Sequence, residues 1–209
     1  MSKESIILVH GIWTNGLEMG LLGAWLAHAG FATRRFSYHS VRLTPVENAL
    51  SLQSFTEKIT SPIIHYVCHS LGGLVVRHLF HNYPERAPGR VVTLATPHVT
   101  SRAAAVLTRN FPGRVVFGQS LNQGLLGNVP PWRGTHELGV IAGTLRFGLG
   151  LLVPDIPAPN DGTVAVAETM LEGMTDHITV PASHTGMLFS KTAADQTIHF
   201  LRNGHFLHR

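Results

Sequence analysis

The hydrophobic positions of this chain gather into short solid runs with little apolar–polar alternation. The runs are Ile6–His10, Phe31–Tyr38, Ile63–Cys68, Val91–Ala95, Leu138–Thr144 and His177–Val180. They are rich in Val and Ile, as expected of parallel strands covered on both faces. Between them the pattern turns helical. Leu17–Ala29 follows Asn15 as a cap, and Pro45–Ile59 opens with Thr44 at the N-cap and proline in the first turn. Leu71–Phe80 sets Leu71, Leu74, Val75 and Leu79 on one side, and Ser190–Leu201 closes the chain. This alternation predicts an α/β fold of about six mostly parallel strands with helices on both faces. Residues 1–209 read as a single domain without a repeat. The irregular part is Thr96–Glu137, broken by Pro97, Pro112, Pro130, Pro131 and five glycines. Residues 96–137 are expected to form the rim of a site.

Composition narrows the classes. At 44% hydrophobic and 13% charged residues the chain is not a disordered one. Three lysines are too few for a coiled coil. The weakly polar stretch Leu138–Val153 is interrupted by Arg146 and several glycines, too short and broken to span a bilayer. Met1–Ser5 runs straight into Ile6–Val9, so no secretory leader is predicted and a cytoplasmic location is expected. One cysteine, Cys68, excludes an internal disulfide and a Cys-based zinc site.

The net charge of +4 raises the question of nucleic acid, but its distribution argues against it. Arg86, Arg90, Arg102, Arg109, Arg114 and Arg133 are scattered singly over a stretch without acids, and no nucleic-acid partner is expected. Such a rim suits an anionic ester or transient contact with an anionic lipid surface, or is simply hydrated.

The string Ile63–Ile64–His65–Tyr66–Val67–Cys68–His69–Ser70–Leu71–Gly72–Gly73–Leu74 carries most of the candidate chemistry. A strand ends, a serine follows, and glycines open a helix. Such a turn pushes the serine out over the C-terminal edge of a sheet, with small residues two positions either side. A second string, Leu8–Val9–His10–Gly11–Ile12–Trp13, lets the Ile12 amide face Ser70. With the Leu71 amide it would make two donors for an oxyanion. Gly11 and Gly16 have phosphate-loop spacing, but Leu17 and Glu18 stand where Lys and Ser/Thr would be needed.

A serine needs a base, and the base an acid to orient it. Among fourteen histidines, His184 follows the last strand through Pro181–Ala182–Ser183 and reaches the same edge as Ser70. For the acid, the turn Asn160–Asp161–Gly162 favours Asp161, with Asp155 as competitor; Asp176 precedes its strand, at the opposite edge. Read singly, Ser70 is also an ordinary N-cap and Asp161 also a turn residue bonded to its own backbone. The pairs His78/His81 and His65/His69 lack a third ligand nearby in sequence, and no metal is predicted.

His10–Gly11, Cys68–His69–Ser70–Leu71–Gly72, Ala95–Thr96–Pro97–His98, Asn160–Asp161–Gly162 and Ser183–His184 together resemble the α/β-hydrolase superfamily, closest to small lipase-like serine hydrolases. The resemblance implies a minimal six-strand version without a separate cap domain. It implies a nucleophile at Ser70, an acid at Asp161, a base at His184 and oxyanion amides at Ile12 and Leu71, with no cofactor. Cys68 departs from the usual glycine. Trp13, Leu121, Leu125 and Trp132 are the expected substrate contacts, for an ester with an apolar acyl group. A thioesterase, lactonase, amidase or phospholipase, or a silent binding protein on this fold, are the alternatives.

Overall fold

Each of the six solid apolar runs is a strand. The computed structural model describes residues 3–84, 88–109, 111–133, 136–148 and 156–208. The strands are β1 (Ser5–Val9), β2 (Ala32–Phe36), β3 (Ile64–His69), β4 (Val91–Leu94), β5 (Leu138–Gly143) and β6 (Asp176–Val180). They form one sheet in the order β2-β1-β3-β4-β5-β6, and every neighbouring pair is parallel. The chain steps outward from β1 to β2, then returns past β1 to begin β3. A crevice opens at that reversal, outside the carboxyl ends of β1 and β3.

The helices follow the periodic segments. They are α1 (Gly20–His28), α2 (Pro45–Thr56), α3 (Leu71–Asn82), α4 (Arg102–Leu107), α5 (Phe111–Phe117), α6 (Val166–Thr169) and α7 (Lys191–Asn203). Thr44 and Glu47 close a reciprocal capping box at α2: the Thr44 hydroxyl accepts from the Glu47 amide at 3.2 Å, and the Glu47 carboxylate accepts from the Thr44 amide at 2.8 Å.

Burial explains why the strands lack alternation. Ile7, Val9, Tyr66, Cys68 and Val140 pack with α2 and α3 on one face. Ile6, Leu8, Val67, Val92 and Ile141 pack on the other with Leu22 and Leu26 of α1 and with Ala193, Phe200 and Leu201 of α7. Both faces of β1, β3, β4 and β5 are therefore core, whereas the edge strands β2 and β6 keep exposed polar positions such as Arg34, Arg35 and Thr179. Cys68 is fully buried on the α3 side, where burial pushes its thiol pKa up.

The segment 96–137 is more ordered than its prolines and glycines suggest, because it contains α4 and α5. Ser101 supplies the N-cap of α4, accepting from the Ala104 amide at 3.2 Å. Further on, the buried Arg77 of α3 donates to the carbonyls of His98, Val129 and Pro130 and straps this segment to the core. No separate cap domain is present among the described residues, and no helix there is long and apolar enough to cross a membrane.

Candidate active site

β3 hands the chain to α3 through a single residue. Ser70 has φ 52° and ψ −121°, a conformation that costs a non-glycine residue about 1–3 kcal/mol and needs its surroundings to hold it. Those surroundings are visible. The Ser70 amide donates to the Leu94 carbonyl at 2.9 Å, and the Ser70 carbonyl accepts from the Thr96 hydroxyl at 2.8 Å and the Gly73 amide at 3.1 Å. Gly72 is required by close approach: a Cβ there would come within 2.4 Å of the Val9 carbonyl oxygen.

Although Ser70 is the N-cap of α3, its side chain makes no capping bond. The hydroxyl instead lies 3.1 Å from His184 Nε2. The His184 Nδ1–H donates to Asp161 Oδ2 at 2.8 Å, and the His184 amide donates to the Asp161 carbonyl at 2.9 Å. Asp161 is 1% exposed. Its other oxygen, Oδ1, accepts from the amides of Thr163 at 2.8 Å and Val164 at 2.7 Å. The turn role and the imidazole-orienting role thus belong to different oxygens of one carboxylate. Asp155, the competitor in sequence, lies outside the described residues. Asp176, at the start of β6, accepts from the amides of His177 and Phe206 and binds His208.

The Gly11–Ile12 segment sits directly beside the elbow. A Cβ on Gly11 would lie 3.3 Å from Ser70 Cβ and 3.0 Å from His69 Nδ1. The Ile12 and Leu71 amides have no backbone acceptor among the described residues outside regular elements. Leu71 heads α3, whose positive end therefore faces the Ser70 side.

Two residues near the elbow have roles that the sequence did not announce. His69 is almost fully buried and donates Nε2–H to the His184 carbonyl at 3.0 Å, with the two rings 4.9 Å apart. Burial and the neighbouring His184 push its pKa down to about 3, so it stays neutral and braces the His184 backbone. Asn160 accepts from the Gly162 amide at 3.0 Å and donates to the carbonyls of Ile156 and Pro157, fixing the turn that presents Asp161. Strand and turn residues of this kind leave no periodic signal, because their partners are more than a hundred residues away or local to an irregular loop.

A cavity of about 480 Å³ opens over Ser70 and His184. Its apolar lining includes Ile12, Trp13, Ala104, Leu107, Phe117, Leu125, Phe147, Val164 and Leu188. Trp13 and Leu125 therefore line it as expected. Leu121 and Trp132 do not. Both are buried in the α2/α3 core, with Trp132 edge-on to Phe80 and its indole N–H donating to the His136 carbonyl at 3.2 Å. The Arg77 strap draws that stretch inward, away from the mouth.

No protein-family model matches the chain, and no curated protein matches it. Solved structures do. The lipase BlEst2 of Bacillus licheniformis, in its mature form, aligns with a TM-score of 0.78 at 19% identity, covering 97% of this chain and 92% of that one. Alpha/beta hydrolase domain-containing protein 10 from mouse aligns with a TM-score of 0.66 at 15% identity, over 97% and 90%. The monoacylglycerol lipase of Paleococcus ferrophilus aligns with a TM-score of 0.64 at 15% identity, over 98% and 97%. At these identities the likeness is one of fold.

Proposed function

From the premise that this chain has the α/β-hydrolase fold, we propose that it is a serine hydrolase cleaving carboxylic esters with an apolar acyl group. The observation that carries the reading is the continuous hydrogen-bonded relay Ser70–His184–Asp161 at the floor of a mainly apolar cavity. That cavity is within the usual size range of small-molecule sites, about 300–1,000 Å³. The structural relatives that carry lipase names agree with it.

The steps use protein groups and water alone. The Asp161 carboxylate keeps the His184 proton on Nδ1, leaving Nε2 bare toward the Ser70 hydroxyl. As Ser70 Oγ bonds to the ester carbonyl carbon, its proton passes to Nε2. The carbonyl oxygen takes the negative charge and turns toward the Ile12 and Leu71 amides. Losing one donor of such a pair costs about 3 kcal/mol in comparable sites. The imidazolium then protonates the departing alkoxide, leaving an acyl group on Ser70. Water attacks that acyl-enzyme by the same proton route, releasing the acid and restoring the hydroxyl.

The test is a series of p-nitrophenyl esters and thioesters of rising acyl length, run on wild type and Ser70→Ala. The expected result is turnover of esters by wild type, its loss in the variant with the melting temperature kept, and fluorophosphonate labelling at Ser70. Turnover kept in Ser70→Ala would sink the assignment of Ser70, and a wild type without turnover whose Ser70 refuses the label would leave a binding protein. Preference for thioesters would move it to the thioesterases.

The same reading extends to where the substrate is met. Trp13 and Phe147 line the cavity yet are 44% and 68% exposed, and the Trp13 indole N–H donates to the carbonyl of exposed Val116 at 2.9 Å. Exposed Arg146 precedes Phe147 in the chain, and exposed Arg114 lies two residues before Val116. This rim suits brief contact with an anionic lipid surface. Ser70→Ala should sediment with phosphatidylglycerol-containing vesicles and less with pure phosphatidylcholine; equal recovery in both supernatants counts against it.

A further inference from the structure

His10 ends the first apolar run and is completely buried, yet nothing in the proton relay uses it. Its ring is tied at both nitrogens. The Tyr38 backbone amide lies 3.2 Å from Nε2, and an amide can only donate, so Nε2 accepts and carries no proton. The ring proton must then sit on Nδ1, which donates to the Gly11 carbonyl at 2.7 Å. The Thr14 hydroxyl donates to that same carbonyl at 3.2 Å. The Tyr38 ring stacks on the imidazole, with centroids 4.1 Å apart and planes inclined by 17°, and the Tyr38 hydroxyl donates to the His10 carbonyl at 2.8 Å. Burial lowers the His10 pKa, which keeps this neutral tautomer in place.

The Gly11 carbonyl belongs to the same planar peptide as the Ile12 amide. Across a trans peptide the C=O and N–H point in opposite directions. Two donors that hold the carbonyl back toward His10 and Thr14 therefore hold the amide forward. Gly11, Ile12 and Ser70 border the same cavity, and a Cβ on Gly11 would lie 3.3 Å from Ser70 Cβ. Donors on the carbonyl also polarise the peptide and make its N–H a better donor. We infer that His10, with Thr14 assisting, is a positioning residue. It aims and strengthens the Ile12 amide for the oxyanion that the proposed ester hydrolysis would form. The inference rests on that proposal for its use, but the tautomer and the pinned peptide stand on geometry alone.

Two measurements separate the claims. Nitrogen-15 NMR of the histidine rings should find His10 protonated at Nδ1 and bare at Nε2. The opposite tautomer, or a ring exchanging between the two, overturns the inference whatever the turnover. Steady-state kinetics then reads the consequence. His10→Phe keeps the stack on Tyr38 and lacks the donor, so kcat should drop by roughly 30-fold with KM within about twofold. His10→Asn returns an amide N–H near the Nδ1 position and should recover kcat to within roughly fivefold of wild type. Because the buried site tolerates change poorly, Thr14→Val serves as the mild variant. Thr14 is exposed, so this substitution should fold normally and lower kcat by roughly threefold. Equal losses in His10→Phe and His10→Asn, or a change in KM alone, would mean that ring volume matters and the hydrogen bond does not. Failure of the ester proposal shows itself differently, as a wild type without turnover and with the His10 tautomer intact.

Discussion

Asp161 divides two tasks between two oxygens, and the division predicts how a near-isosteric change will behave. In Asp161→Asn the side-chain oxygen can still accept from the Thr163 and Val164 amides, so the turn and the melting temperature should be nearly kept. The side-chain NH₂ would then face His184 Nδ1, force the ring proton onto Nε2, and leave Ser70 without a base. A loss of kcat near 10⁴-fold is expected, as in other triads so altered, and a loss below tenfold would rule the role out. Ser70 permits a second residue-scale prediction. Its φ of 52° penalises any Cβ, so Ser70→Gly should melt about 2–4 °C above Ser70→Ala, although both are inactive. Melting curves of the pair settle it. What could be read beforehand at this scale was the placing of Ser70, Asp161 and His184, since Ser70 and His184 stand just past apolar runs and Asp161 sits in an Asn-Asp-Gly turn between the fifth and sixth runs, in the order the fold needs. The bracing by His69, Asn160 and His10 could not be read, because it depends on which nitrogen or carbonyl faces which neighbour.

At the scale of elements, the six runs were legible as solid apolar blocks and the four main helices by their period, and α2 even wrote its cap in Thr44, Pro45 and Glu47. The segment 96–137 was not. Its leucines recur at helical spacing, and spacing alone cannot separate a pocket wall from a core face: Leu125 is both, and Leu121 only the second. Helices as short as α4 and α5 are decided by local caps and packing more than by periodicity. Arg77 decides where this segment rests. Its buried guanidinium meets carbonyl oxygens, and burial lowers its pKa to about 10, so it remains charged at neutral pH. Arg77→Leu should release residues 129–132, cost about 2–4 kcal/mol and expose the rim to limited proteolysis before the rest unfolds. A fragment pattern identical to wild type would show that the strap is dispensable.

The whole molecule buries imidazoles on both faces of its sheet. His69 and His98 have pKa values pushed down to about 3 by burial, and His10, His65, His78 and His177 are lowered for the same reason. Each would titrate near 6.5 in the unfolded chain. Between about pH 3 and 6.5 the unfolded state therefore binds more protons, and stability rises with pH. Acidification from pH 7 should lower the melting temperature steadily, with each fully buried ring adding a slope approaching about 1.4 kcal/mol per pH unit. His98→Leu should flatten that slope relative to wild type, and superimposable pH profiles would contradict the assignment. Cys68 offers a different kind of report. It is the chain's only thiol, sealed near the C-terminal end of β3 two residues before the elbow. A maleimide can reach it only when the middle of the sheet parts, so its alkylation rate in the native protein is a built-in clock for how often the floor beneath the cavity opens.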